Sequence, residues 1–422
     1  MTESDDLEAA ALPHRETFVQ HLDEAFRRYG YVDGLPPSVR AAVETVPRHR
    51  FVHRFRTGPD GPLHDFDADA VDLLPLVYRG HPLTHVAADG SALPSTNSEA
   101  SYVLWLVARL GIEPGHTVLE IGSGSGWLLA VMAHLVGPNG SATGVEILSD
   151  LANQARGDLT ASGCGNAQIL TADATTDPIP GGPFDRVIVT AATWSLPQAF
   201  FDLVAEGGKV LVPLRLPRDE GCDVTLLRRE GHGFEAEWSS PGFFVPLVGA
   251  NQSAEISRIR IDDWTAQFGV AAEPSLSYPL WFGSLAPYQP GPALQAYRRY
   301  LALTEPGFTV FEPFGIGPST PKWVSEFGVL DTGRRSAVIL RAGRLDGYGA
   351  PDATIRLLEA YRRWCDLGMP GPGAYSLHIT ASEYAVDGIE TALTEVRGKN
   401  RMARSLGNHA GSWKDLLTRA SP

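Results

Sequence analysis

Apolar positions change their period along the chain, and the changes divide it. Phe18, Leu22 and Phe26 lie four apart and Gly30 stops the run, so the spacing predicts a helix over 15–30. A second helix is predicted over 36–46, with Pro36 and Pro37 at its start and Pro47 past its end. Residues 58–98 are rich in Asp, Gly, Pro and Ser with weak periodicity and are expected to be irregular. A helix over 99–110 follows, with Ser98 suited to cap it.

From Thr117 strand-like and helix-like runs alternate. Val118, Leu119 and Ile121 precede Gly122, and the helical run Trp127–Val136 comes next. A strand ending at Val145-Glu146, a helix over 148–161, strands over 167–172 and 184–190, a helix over 196–205 and a strand over 208–214 complete the series. Such alternation predicts a parallel, doubly wound sheet with helices on both faces. The unbroken apolar runs around Val187 and Val210 suit strands buried on both sides. Val224–Leu227 and Phe243–Val248 are then expected as antiparallel strands at the sheet edge. Beyond 250 the expected helices (292–303, 353–368, 411–420) and strands (336–342, 375–380) suffice for an added α+β domain. The expected division is therefore 1–98 (helices and acceptor loop), 99–250 (α/β unit) and 251–422 (accessory domain).

Composition narrows the partners. With 49 acidic against 35 basic side chains the net charge is −14, which argues against nucleic acid and anionic membrane surfaces. The 3 cysteines, Cys164, Cys222 and Cys365, are far apart and form no CxxC pair, so neither a disulfide framework nor a cysteine zinc site is expected. The acidic N-terminus (Glu3, Asp5, Asp6, Glu8) lacks the positive start of a secretory leader, and no apolar run is long enough to span a bilayer. A cytoplasmic protein is expected.

The most informative stretch is Val118-Leu-Glu-Ile-Gly-Ser-Gly-Ser-Gly-Trp127. It reads as strand, glycine turn and helix. Gly122, Gly124 and Gly126 permit a sharp turn and close approach to a ligand, with Ser123 and Ser125 between them. Free N–H groups at the following helix start favour an anionic group. Glu146, at the end of the next strand, can accept both ribose hydroxyl hydrogens, and Asp173 after the third strand can accept from an adenine amino group. The dinucleotide fingerprint needs a glycine where Trp127 stands. The pattern therefore favours S-adenosylmethionine, which carries no phosphate, over NAD.

Five segments carry a resemblance: Val46-Pro-Arg-His-Arg-Phe-Val52, Val118–Gly126, Phe184–Ala192, Gly207–Pro213 and Phe244-Val-Pro-Leu247. In this order they resemble the protein-L-isoaspartate O-methyltransferase family over about residues 15–250. The resemblance implies a class I Rossmann-like methyltransferase fold. It implies S-adenosyl-L-methionine as cofactor, S-adenosyl-L-homocysteine as product, and cofactor contacts from Thr96, Asn97 and Ser98, from 122–126, and from Glu146, Ile147, Asp173 and Ala174. The family's Thr-Ile-Ser-Gln-Pro segment falls on Thr96-Asn-Ser-Glu-Ala100, which places its acceptor-site serine at Ser98, here the expected catalytic residue. Gln-Pro is replaced by Glu99-Ala100, and the glycine-rich run usually found upstream is not kept. With the added C-terminal domain, the chain looks like the long protein-aspartate methyltransferases of ribosomal peptide (RiPP) biosynthesis, including lanthipeptides and graspetides. That resemblance implies an Asp side chain in a cyclised peptide as acceptor, with the ester closing to aspartimide or going on to isoaspartate. The alternatives are an isoaspartyl repair methyltransferase and a non-catalytic binding module.

A carboxylate nucleophile is ionised at neutral pH, with a reference pKa of about 4, so methyl transfer needs no strong base. The chain must align the reacting atoms and exclude water. Ser98 is expected to hydrogen-bond the acceptor or cofactor, and the backbone at Thr190, Ala191 and Ala192 to shape the substrate pocket. No metal is expected: His49 and His53 are four apart but follow Pro47 without an HExxH, and Pro82 argues against a helix carrying His81 and His85.

Overall fold

The computed structural model describes residues 3–250, 252, 256–279, 292–312, 326–341, 344–371, 374–381, 393–397 and 400–406. The chain opens with α1 (Glu3–Arg28) and α2 (Pro37–Thr45), and a 3-10 turn at Arg48–Phe51 follows. Phe18, Leu22 and Phe26 are buried, as the helical spacing requires. Residues 58–98 are not irregular. They form β2 (Leu63–Asp65), α3 (Phe66–Val77), β3 (Leu83–Val86) and β4 (Ala92–Asn97), and the three strands join the preceding β1 (Arg54–Arg56) in an antiparallel sheet of order β2-β1-β3-β4. Asp65 caps α3 by accepting from the Ala68 N–H at 3.3 Å, and Phe66, Leu74 and Val77 bury its apolar side. In α4 (Ala100–Leu110) the N-cap is Glu99, not Ser98: its carboxylate accepts from the N–H groups of Ser101 (3.2 Å) and Tyr102 (2.7 Å).

The α/β unit comprises β5 (Thr117–Ile121), α5 (Trp127–Val136), β6 (Ser141–Glu146), α6 (Ser149–Ala161), β7 (Ala167–Thr171) and β8 (Phe184–Val189). It continues with α7 (Ala199–Leu203), β9 (Val204–Arg215), β10 (Cys222–Glu230) and β11 (Gly233–Gly242). β7-β6-β5-β8-β9 are parallel neighbours; β10 adds antiparallel to β9 and β11 antiparallel to β10. Along β5, Val118 packs into one core while Leu119 and Ile121 pack into the core on the other face. Two expectations are corrected. The helix expected over 196–205 is cut to α7, because Val204 already pairs with Phe184 in the sheet. Phe243–Val248 forms no antiparallel strand: Pro246 in its middle has no N–H to donate to a ladder, and the segment instead bridges in parallel to Ala192.

Beyond residue 250, α8 (Ile261–Phe268), β12 (Leu276–Pro279), α9 (Pro292–Thr304), β13 (Phe308–Phe311), β14 (Glu326–Asp331), β15 (Ser336–Arg341), β16 (Arg344–Gly349) and α10 (Asp352–Asp366) form a second layer. Its antiparallel sheet has the order β12-β16-β15-β14-β13. Tyr297, Phe308, Phe327 and Trp364 pack in its own core. Ion pairs Arg298–Asp219 (2.5 Å) and Arg258–Glu220 (2.8 Å) join it to the turn between β9 and β10, and Arg299–Asp223 (2.7 Å) joins it to the start of β10. The chain then returns. β17 (Tyr375–Ala381), β18 (Leu393–Arg397) and β19 (Asn400–Leu406) extend the main sheet beyond β11, in the order β11-β17-β19-β18. The sheet thus crosses the expected division at 250. The helix expected over 411–420 lies outside the described residues. Among the described residues no helix is long and apolar enough to cross a membrane.

Candidate functional site

In an open parallel sheet, ligands collect at the carboxyl ends of the strands where the order reverses. Here β5 has β6 on one side and β8 on the other. The turns leaving β5, β6, β7 and β8 border one cleft, and β4 and the Val245–Val248 segment close it.

The glycine turn is built by its own backbone. The N–H groups of Gly122 (2.8 Å) and Ser123 (3.1 Å) donate to the Val145 carbonyl, and Gly126 donates to Ser123 (2.8 Å). Gly122 and Gly126 hold φ at +88° and +83°, where a side chain is strained. A Cβ at Gly122 would also stand 2.9 Å from Thr190 Oγ1, whose hydroxyl donates to the Gly122 carbonyl at 2.7 Å. Trp127, where a dinucleotide site would keep a glycine, is buried and donates from Nε1 to the Val46 carbonyl at 3.3 Å.

Glu146 ends β6 with 4% exposure. Its carboxylate accepts from the N–H groups of Gly124 (2.9 Å) and Leu148 (3.0 Å), one at each oxygen, and each oxygen keeps a lone pair. On the neighbouring strand β5, where Glu120 pairs with Gly144, burial and then the charge of Glu146 push the Glu120 carboxyl well above the usual range. Asp173 holds the next turn. Its Oδ1 accepts from the Thr175 N–H (2.9 Å) and hydroxyl (2.6 Å), and its Oδ2 from the Ala250 N–H (2.7 Å). Burial works to raise its pKa, but these hydrogen bonds outweigh it and hold the carboxyl below its ordinary range.

Ala192 donates to the Val245 carbonyl (2.7 Å) and accepts from the Leu247 N–H (2.8 Å), which lays Val245–Val248 over the cleft. A Cβ at Gly249 would collide with Asp173 Oδ2, so the segment descends against that carboxylate by virtue of the glycine.

The structure brings most of the expected residues together. Thr96, Gly122, Glu146 and Ile147 line the cleft, and so do Asp173, Ala174, Thr190 and Ala191. Asn97 and Ser125 sit behind this lining, joined by the Ser125 hydroxyl donating to Asn97 Oδ1 at 2.6 Å. Ser123, Gly124, Gly126 and Ala192 shape the turns without lining it. Ser98 is also outside the lining, and its carbonyl accepts from Arg48 Nη2 at 3.2 Å. Sequence reasoning missed Ser95, Leu148 and Thr175, which line the cleft, and His85, which stands behind Ser95.

The groups present fit S-adenosylmethionine. A buried carboxylate and a second acidic group end adjacent strands, where ribose hydroxyls and an adenine amino group would be held. The glycine turn leaves the room that a Cβ would fill, and position 127 holds no glycine for a pyrophosphate. Among the described residues no group of three or more His, Cys, Asp or Glu is placed to hold a metal ion. His49 bonds to the Tyr78 hydroxyl (2.6 Å), and His53 bonds to Asp67 (2.9 Å) and Asp158 (3.0 Å).

Residues 72–252 match the family model described as Protein-L-isoaspartate(D-aspartate) O-methyltransferase (PCMT). The protein-L-isoaspartate O-methyltransferase of Ignicoccus hospitalis is 34% identical over 171 residues, 39% of this chain and 80% of that protein. That of Methanopyrus kandleri is 31% identical over 240 residues, 54% of this chain and 91% of that protein. A solved structure named protein-L-isoaspartate O-methyltransferase shares the fold at a TM-score of 0.50 and 20% identity, over 88% of this chain and 98% of its own. So wide a match takes in chain beyond the α/β unit.

Proposed function

Since the chain belongs to the protein-L-isoaspartate O-methyltransferase family, and is an S-adenosylmethionine-dependent carboxyl O-methyltransferase, we propose that its acceptor is the free carboxylate of an isoaspartyl residue in a protein or peptide. The observation that carries this reading is the meeting of three parts at one cleft: the Gly122 turn, the Glu146 and Asp173 carboxylates, and the hydroxyl-bearing strand β4. When bound, the cofactor supplies an electrophilic methyl group on sulfur. The chain's own residues do the rest. Glu146 and Asp173 take the ribose and adenine donors, and Thr190 fixes the Gly122 turn. Val245–Val248 keeps water from the reacting groups. An acceptor carboxylate with a reference pKa of about 4 arrives ionised, so no side chain has to remove a proton. Orientation of this kind lowers a barrier by roughly 7–11 kcal/mol when well achieved. In the ester, methoxide is a usable leaving group. The next residue's amide nitrogen attacks the ester carbonyl, a five-membered imide closes and methanol departs.

A second reading, methylation of an ordinary Asp in a cyclised ribosomal peptide, is favoured by one feature of the lip. Where the family carries Gln-Pro this chain has Glu99-Ala100, and Glu99 is turned into the start of α4 as its cap. The extra C-terminal unit does not choose between the readings, because the fold match that spans it bears the isoaspartate name. A role for that unit in peptide recognition is supported by the chain path, since Val245–Ala250 leads from the cleft toward it. The test is methyl transfer from labelled cofactor to matched peptides carrying isoaspartate, linear Asp and cyclised Asp. Transfer to isoaspartate is expected. Transfer to cyclised Asp alone would replace the first reading with the second.

A further inference from the structure

An incoming carboxylate needs a hydrogen-bond donor, and this cleft is short of them. Among the described residues that line it there is no Lys, Arg or His, and the side-chain hydroxyls are those of Ser95, Thr96, Thr175 and Thr190. Two are already spent: Thr190 donates to the Gly122 carbonyl (2.7 Å) and Thr175 to Asp173 (2.6 Å). Ser98, the serine that the family motif aligns to this role, is outside the lining.

Ser95 has a partner of a different kind. Its Oγ lies 2.9 Å from Nδ1 of His85 on the neighbouring strand β3. His85 is 6% exposed, and its Nε2 is buried with no hydrogen-bond partner among the described residues. Burial pushes its pKa down to about 4, against a smaller pull from the Asn97 side chain and with a push from the Arg48 charge, so the imidazole is neutral. The pair stands over the middle of the glycine turn. A Cβ at Gly124 would sit 3.2 Å from His85 Cε1 and 3.8 Å from Ser95 Oγ.

A neutral imidazole carries one proton. If Nε2 held it, a buried N–H would lack an acceptor in hydrogen-bonding position among the described residues, the Asn97 side chain pulling on the ring without closing such a bond there, and the Ser95 hydroxyl hydrogen would have to turn toward Nδ1. If Nδ1 holds it, the ring donates to Ser95 Oγ, and only a lone pair is left over at Nε2. Orphaned buried N–H groups are rarer than underused acceptors, so the second arrangement is the favoured one. It turns the Ser95 hydroxyl hydrogen toward the cleft.

The geometry points to Ser95, oriented by His85, as the donor that binds the acceptor carboxylate in this chain, in the role the family motif assigns to the position of Ser98. Ser95 is the binding residue and His85 a positioning residue acting through it. This rests on the carboxyl-acceptor reading above.

The test measures, for Ser95→Ala, Ser98→Ala and Ser95→Thr in the full chain, two quantities. One is the calorimetric affinity for S-adenosylhomocysteine. The other is KM for the carboxyl peptide that the parent methylates best among isoaspartyl, linear Asp and cyclised Asp peptides. Ser95→Ala is expected to raise KM about tenfold or more, the loss of one hydrogen bond to a charged group. S-adenosylhomocysteine affinity should stay within about twofold, Ser95→Thr should recover most of the loss, and Ser98→Ala should change KM little. His85→Phe should raise KM similarly, and the double variant Ser95→Ala/His85→Phe should be no worse than Ser95→Ala alone, a non-additivity that a merely structural histidine would not produce. An unchanged KM in Ser95→Ala, a large rise in Ser98→Ala, or a tenfold loss of S-adenosylhomocysteine affinity in Ser95→Ala each overturns the assignment. A parent that methylates none of the peptides removes the acceptor reading itself, and the assignment with it, so the two failures show in different proteins.

Discussion

Nη2 of Arg48 lies 3.2 Å from the carbonyl of Ser98 and also 3.2 Å from that of His81, so a single guanidinium ties together the two ends of the β3–β4 hairpin. The side chain is 1% exposed and stacks over the Trp127 ring at 5.3 Å. Its Nε and Nη1 donate to nothing among the described residues, and burial pulls its pKa down to about 10. Arg48→Met removes a buried charge, which is favourable, and leaves two carbonyls unpaired, which costs about 1–3 kcal/mol each. The terms oppose, so the loss of stability read from urea unfolding should stay below the about 2–6 kcal/mol that the two carbonyls alone would cost. The strand carrying Ser95 and Thr96 loses its tether, and KM for the acceptor peptide should rise severalfold. A collapse of stability with an unchanged KM would show that Arg48 serves the core and not the lip.

Glu146 anchors the cofactor side. Glu146→Ala removes the acceptor for two ribose hydroxyls and frees the N–H groups of Gly124 and Leu148, which are 2.9 and 3.0 Å away. Hydrogen bonds to a charged group are worth about 1.5–3 kcal/mol each. S-adenosylhomocysteine affinity should therefore fall at least tenfold by calorimetry, and the rise in melting temperature on adding it should shrink. An unchanged affinity would place the ribose elsewhere.

The strand, turn and helix at 117–136 were legible because apolar runs, three glycines and a helical run occur there in contiguous order, and the helix bounds Trp127–Val136 agree with the expectation. The hairpin and helix within 58–98 were not. Pro75 sits inside α3, Asp69 kinks it, and a run of aspartates hides the buried Phe66, Leu74 and Val77. Asp65 caps α3 but lies beside Asp67 and Asp69, so it does not stand out as a cap signal. Phe243–Val248 looked like a strand because its residues are apolar, but Pro246 leaves it a lone bridge to Ala192. The His85–Ser95 contact had no signal at all. The two residues meet because β3 and β4 pair with a register irregularity between Thr84 and Val86, and periodicity does not report register.

Glu120, beneath the turn, makes stability depend on pH. Burial and the Glu146 charge raise its folded pKa well above the ordinary value, and its Oε2 has no partner among the described residues. Below the unfolded pKa of about 4.5 both states hold the proton and nothing is lost. Above it the unfolded chain releases a proton that the folded chain keeps, so stability falls as pH rises, by at most about 1.4 kcal/mol per pH unit. Glu120→Gln has no such proton. Urea midpoints at pH 4.5, 6 and 7.5 should show the variant gaining on the parent as pH rises, and a constant offset would rule this out.

His53 acts in the opposite sense. Its Nε2 bonds Asp158 on α6 at 3.0 Å and its Nδ1 bonds Asp67 on α3 at 2.9 Å, so the ring joins the N-terminal layer to the α/β unit. The Asp158 hydrogen bond leads in raising its pKa to about 9, burial opposes it, and the charges of Asp158 and Asp67 add to the rise. A protonated His53 therefore stabilises the fold fully below its unfolded pKa of about 6.5, and that contribution is lost as pH rises through about 9. His53→Gln keeps a polar side chain but cannot take the charge. The parent should lead the variant at pH 6, with the lead closing toward pH 10 at no more than about 1.4 kcal/mol per pH unit. Because the Asp67 side chain is 62% exposed, 1 M salt should narrow the lead at pH 6 through screening of that arm, while the Asp158 arm, at 13% exposure, should hold. A lead that is the same at pH 6 and pH 10 would mean that the ring joins the two layers by packing and not by charge.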